Sequence, residues 1–144
     1  MHYEQKVEID APQSVVWEVL ADVSRWPEWT ESVAKVSRTD NSALAAGSRV
    51  RIKQPRMPSL VWEVFDLEPG TSFSWRSASP GVAAVATHLV EPAEGARVAV
   101  TLGITFSGPL APLTGLLTGA RTRRYLQMEA DGLKSRSESR HRAV

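Results

Sequence analysis

A handful of side chains in this 144-residue chain have a type and a position suited to chemistry. His88 is the one histidine inside a regular alternating segment; His2 and His141 lie near the ends. It shares its parity with Ala84, Ala86 and Val90, which turns it inward among small neighbours. There it serves either as a polar anchor or acid/base group, or as a hydrogen-bonded core histidine. No carboxylate partner for it is legible. Arg123 falls in the apolar stripe of a C-terminal helical segment, whereas Arg121 points away from that stripe and Arg124 is ambiguous. Arg123 either orients an anionic head group or packs its stem and releases its head to water. Trp62, Phe73 and Trp75 sit inward on neighbouring strands and either line a cavity or fill a core. Trp17 and Trp26 suit core and end-cap packing, and Trp29 is placed nearer a cavity mouth.

Other chemistries lack their residues. With no cysteine there are no disulfides, thiolate metal sites or cysteine nucleophiles. Three scattered histidines make a zinc or Rieske centre improbable, so no metal is expected. No Gly-rich phosphate loop or dinucleotide fingerprint appears, and no cofactor is expected. Nothing suggests the strained nucleophile elbow of a hydrolase. Net charge is +1, which gives no global drive toward nucleic acid or anionic membrane. The balance is uneven: from Arg121 onward there are seven Lys/Arg against three Asp/Glu. No signal-peptide pattern and no bilayer-length apolar run is present, so a cytoplasmic protein without stable membrane insertion is expected.

These residues are positioned by a simple order of elements. Tyr3, Gln5, Val7 and Ile9 alternate with charged residues, which predicts a half-buried strand. Asp10-Ala11-Pro12-Gln13 reads as a helix start with Asp10 as cap. Val15, Val16, Val19 and Leu20 follow at helical spacing, and a second short helical piece turns at Trp26-Pro27-Glu28-Trp29. Six strands are predicted next: Val33–Arg38, Arg49–Gln54, Leu60–Leu67, Ser72–Ser77, Ala83–Glu91 and Ala96–Phe106. Short turns such as Asp40-Asn41-Ser42 and Ser79-Pro80-Gly81 make them an antiparallel meander. Arg49, Arg51 and Lys53 put three cations on one outer strand face, and Pro55-Arg56-Met57-Pro58 is either a lip over a cavity or a plain hairpin loop. A long helix runs from about Pro112 to about Lys134, with Leu116, Ala120, Arg123, Leu126, Ala130 and Leu133 as its apolar stripe. Gly115 and Gly119 within it suit close approach to the sheet or room for a ligand. Residues 135–144 read as a basic, fraying tail outside a single 1–134 domain. The fold class is α+β: about seven curved antiparallel strands around one long C-terminal helix, with two short helices after the first strand. Such a shape commonly leaves a pocket.

Local signatures carry a family resemblance. The run from Ile9 to Trp29 has the pattern apolar-x-Ala-Pro, Val16-Trp17, Asp22 and Trp26-Pro27-x-Trp29. Leu44–Val50, Trp62 through Arg76, and Gly95 through Leu110 extend it. The chain resembles the START/Bet v 1-like (SRPBCC) superfamily, nearest its polyketide cyclase/dehydrase-like branch. That resemblance implies a helix-grip fold and a hydrophobic cavity for lipids, polyketides or aromatic molecules. Fold alone does not choose among functions. The favoured expectation is binding of an apolar small molecule, with Trp29, Trp62, Phe73, Trp75, His88, Leu116, Ala120 and Arg123 as its contacts. The alternatives are a cyclase- or dehydratase-like enzyme using the same cavity, and an interaction module using the basic tail or the Arg49/Arg51/Lys53 face. Monomer and homodimer both remain open.

Overall fold

Strict alternation in the N-terminal segment produces β1 (His2–Ile9), with Tyr3 and Ile9 buried and the charged residues between them exposed. The computed structural model describes residues 1–38 and 42–143. The predicted turn at Asp40-Asn41 therefore lies outside the described residues. After β1 come α1 (Gln13–Ala21) and a short 3-10 helix (Val23–Glu28). The meander follows as β2 (Lys35–Arg38), β3 (Arg49–Lys53), β4 (Leu60–Glu68), β5 (Ser72–Ser79), β6 (Val82–Pro92) and β7 (Val98–Ser107). All seven strands form one antiparallel sheet in the order β1-β7-β6-β5-β4-β3-β2. α2 (Ala111–Arg142) closes the chain and packs against β1, β7 and α1. This is the helix-grip arrangement.

Two local devices shape the sheet. Pairing shifts between Val64 and Asp66, which leaves Phe65 in a bulge. A bulge bends its strand and increases twist. At the β5–β6 hairpin, Gly81 has φ 78°, and a Cβ there would overlap the Leu110 side chain. Only glycine meets both demands.

The long helix settles onto the sheet through its glycines. Tyr3 Oη donates to the Gly115 carbonyl at 3.4 Å, and a Cβ on Gly119 would lie 2.8 Å from that same oxygen. Close approach is thus the use made of both residues.

Two expectations about the ends of elements are corrected. Asp10 does not cap α1: its amide donates to Glu138 Oε2 at 2.9 Å, and the cap position is Pro12 with no side-chain bond. Gln13 instead bridges to the Gly70 carbonyl at 2.9 Å. The segment after Lys134 does not fray, because α2 continues to Arg142. Periodicity there is polar, but tertiary partners hold it. Ser137 is buried, Glu138 accepts from the Asp10 amide, and Arg136 pairs with Glu28 across to the 3-10 helix.

Candidate functional site

A cavity of about 150 Å³ lies between the concave face of the sheet and one flank of α2. Strand parity builds its sheet wall. Trp62 on β4, Trp75 on β5 and Ala84, Ala86 and His88 on β6 all face it. Ala86 pairs with Trp75 and Ala84 with Phe106, so small residues oppose large ones and leave space. Trp26 closes the inner end, its ring 5.4 Å from Trp75 and its Nε1 donating to the Leu20 carbonyl at 2.9 Å. It therefore lines the cavity as well as capping the core.

The helix wall is more polar. Thr114, Thr118, Arg121, Thr122, Tyr125 and Glu129 face the cavity. The Pro55–Met57 loop forms its lip. Tyr125 Oη donates to the Pro55 carbonyl at 2.6 Å, Arg121 Nη1 donates to the Arg56 carbonyl at 3.3 Å, and Met57 turns inward. Arg56 holds this loop in the left-handed region at φ 63°. Lys53 bonds the carbonyls of Gln54 and Met57 instead of extending over the outer face with Arg49 and Arg51. Arg49 in turn lies 3.8 Å from Glu63.

The chemical centre is a pair: His88 on β6 and Glu129 on α2. His88 Nε2 and Glu129 Oε1 are 3.9 Å apart, and the side chains are only 4% and 13% exposed. His88 Nδ1 lies 3.1 Å from the Phe73 carbonyl. A carbonyl oxygen only accepts, so Nδ1 carries the proton and Nε2 presents a free lone pair. Burial pushes the imidazole down to about 4, against the opposing effect of that backbone bond. Burial pushes the Glu129 carboxyl up to about 8. Near neutral pH both groups are uncharged, so the contact is not an ion pair. At 3.9 Å it is also too long for a hydrogen bond. Glu129 Oε1 is buried and has no hydrogen-bond partner among the described residues. The cavity thus offers a carboxylic acid as donor and an imidazole nitrogen as acceptor, side by side between an apolar sheet wall and a more polar helix wall.

Sequence-predicted site residues divide accordingly. Trp62, Trp75 and His88 lie in the cavity wall. Phe73 does not; it stacks behind His88, with ring centroids 4.0 Å apart. Trp29 is not at the mouth: it packs on Trp26 at 5.5 Å. Leu116 and Ala120 face solvent, and so does Arg123, whose guanidinium lies 5.0 Å from the centre of the Tyr3 ring. Arg121, expected to point away, lines the cavity. The cause is one rotation. Counting back from Leu126, the buried line is Gly119, Gly115 and Ala111. The leucines drew the predicted stripe about one position off this line. Glu129 was missed, though it lies three residues beyond the buried Leu126, on the stripe's cavity edge.

The family profile described as polyketide cyclase / dehydrase and lipid transport matches residues 1–138. The chain belongs to this family. A hypothetical protein from Helicobacter pylori superposes with a TM-score of 0.83 at 20% identity, covering 95% of this chain and 88% of that one. The Zhui aromatase/cyclase from Streptomyces sp. R1128 gives a TM-score of 0.78 at 21% identity, over 97% of this chain and 94% of that one. A START superfamily protein from Mycobacterium smegmatis gives 0.74 at 13% identity, over 96% and 97% of the two chains. At these identities the likeness shows the fold. No curated protein matches the chain in sequence.

Proposed function

We propose that this family member binds a small hydrophobic molecule carrying one polar group that both donates and accepts hydrogen bonds. The observation that carries the reading is the unpartnered Glu129 acid beside the free Nε2 of His88 in a mainly apolar cavity. A buried polar atom without a partner is costly, and a ligand hydroxyl that accepts from Glu129 and donates to His88 would satisfy both. The volume is of the order of a cavity that takes a single benzene ring. Phenol-like ligands are therefore the expected class, and larger ones require the Pro55–Met57 lip to move. Titration with phenol and with benzene, followed by fluorescence of Trp26, Trp62 and Trp75, tests this. Phenol should bind at least roughly tenfold tighter, and Glu129→Leu should remove the difference. Equal affinities, or no binding of either, would overturn the reading.

A second reading rests on the same pair. A neutral acid beside a neutral base is the combination that removes a proton at one atom and returns one at another. This supports a cyclase- or dehydratase-like activity on an aromatic precursor. In that case Glu129→Gln keeps ligand binding and loses turnover. Retained turnover in that variant would exclude a proton-transfer role for Glu129.

A further inference from the structure

Among the described residues, four exposed leucines cluster outside the cavity, on the first turns of α2. Leu116 is 80% exposed and Leu117 73%, with Leu110 and Leu113 nearly half exposed beside them. Solvent-facing leucines that cluster, rather than scatter singly, mark a binding surface. At 100° per residue, Leu113, Leu116, Leu117, Ala120 and Arg124 share one outward face, with Arg121 and Arg123 on its two flanks. Between Ala111 and Met128 the helix has three arginines and no carboxylate. No ion pair involves any of the three among the described residues. Glu4, which shares a shallow groove with Arg123, is taken up by His2 at 3.1 Å.

We infer that this face docks on an anionic lipid surface, with the leucines entering the acyl boundary and the arginines meeting the head groups. Leucine on the outward face with arginine at its edges is the pattern of an interfacial helix. The sign of the charge selects the lipid: a basic rim is drawn to anionic membranes and gains nothing from neutral ones. The position fits as well. Thr114, Thr118 and Arg121 of the same turns line the cavity, so docking would bring its lip to an apolar phase. No helix among the described residues is long and apolar enough to cross a membrane, so the engagement is peripheral. The surface is separate from the His88–Glu129 pair, and its test needs no cavity ligand.

Flotation of the full chain with vesicles is the experiment. Vesicles of phosphatidylcholine with about one-third phosphatidylserine should carry the protein, and pure phosphatidylcholine should not. The double variant Leu116→Ser/Leu117→Ser should lower partitioning by roughly 100-fold. Arg123→Gln/Arg124→Gln should lower it by roughly 30-fold. All four residues are exposed, so unchanged thermal midpoints will show that the variants fold. Absence of flotation with anionic vesicles, or flotation indifferent to both variants, overturns the proposal. So does a dimer in sedimentation that the leucine variant dissociates without any vesicle binding, since a second copy then covers the face.

Discussion

On the sheet side of the cavity, Trp62, Trp75, Ala84 and Ala86 are apolar and sit on hydrogen-bonded strands. On the helix side, Thr118, Arg121, Tyr125 and Glu129 are polar, and two of them bond to the Pro55–Arg56 loop. One wall supplies contact area on a rigid support. The other supplies hydrogen-bonding groups and holds the lip. Shape and polarity are thus assigned to different elements, and His88 is the point where the rigid wall acquires a polar function of its own.

Four substitutions would break or sharpen this contrast. Trp75→Ala should be the most damaging, costing about 3–5 kcal/mol in chemical denaturation, because a buried ring leaves a void that strands cannot close. A loss under about 1 kcal/mol would mean that the sheet wall is not a rigid support.

Glu129→Gln should act through pH. The folded acid holds its proton to about 8 while the unfolded one releases it near 4.5. Between those values the folded state binds more protons, so this group makes stability fall as pH rises. His88 acts oppositely between about 4 and 6.5, where the unfolded imidazole takes a proton that the folded one refuses. The two slopes offset each other below pH 6.5, and Glu129 alone remains above it. Wild type should lose about 1 kcal/mol from pH 6.5 to 8, and Glu129→Gln should remove that loss. Parallel pH profiles for the two proteins would show that Glu129 is ionised in the fold.

Tyr125→Phe should cost about 1 kcal/mol and speed ligand exchange, because the Pro55 carbonyl loses its donor. Unchanged exchange rates would mean that the loop is not a lip. Arg123→Gln should change stability and ligand affinity by less than about 0.5 kcal/mol, since the side chain is exposed. A large loss of ligand affinity would restore the inward placement that the sequence suggested.

The same contrast explains which features were legible. Strands repeat every two residues, so parity at Trp62, Trp75 and His88 leaves two choices, and hydrophobic neighbours decide between them. The helix offers a continuum of phases. With leucines at 113, 116 and 117 and glycines at 115 and 119, hydrophobicity pointed to the wrong face. Small residues won because backbone approach to Tyr3 requires them. The segment from Lys134 onward misled for a related reason: its partners, Glu28, Asp10 and Glu8, lie more than 100 positions away.

By itself the sequence determined the order of elements, the meander, the inward strand residues and the family, because these depend on local periodicity and short turns. Tertiary structure alone decided the rotation of α2, and with it the exchange of Arg123 for Arg121 in the wall. It also decided the chemistry of the site. His88 and Glu129 meet only when helix and sheet pack, and their charge states follow from the water that packing removes.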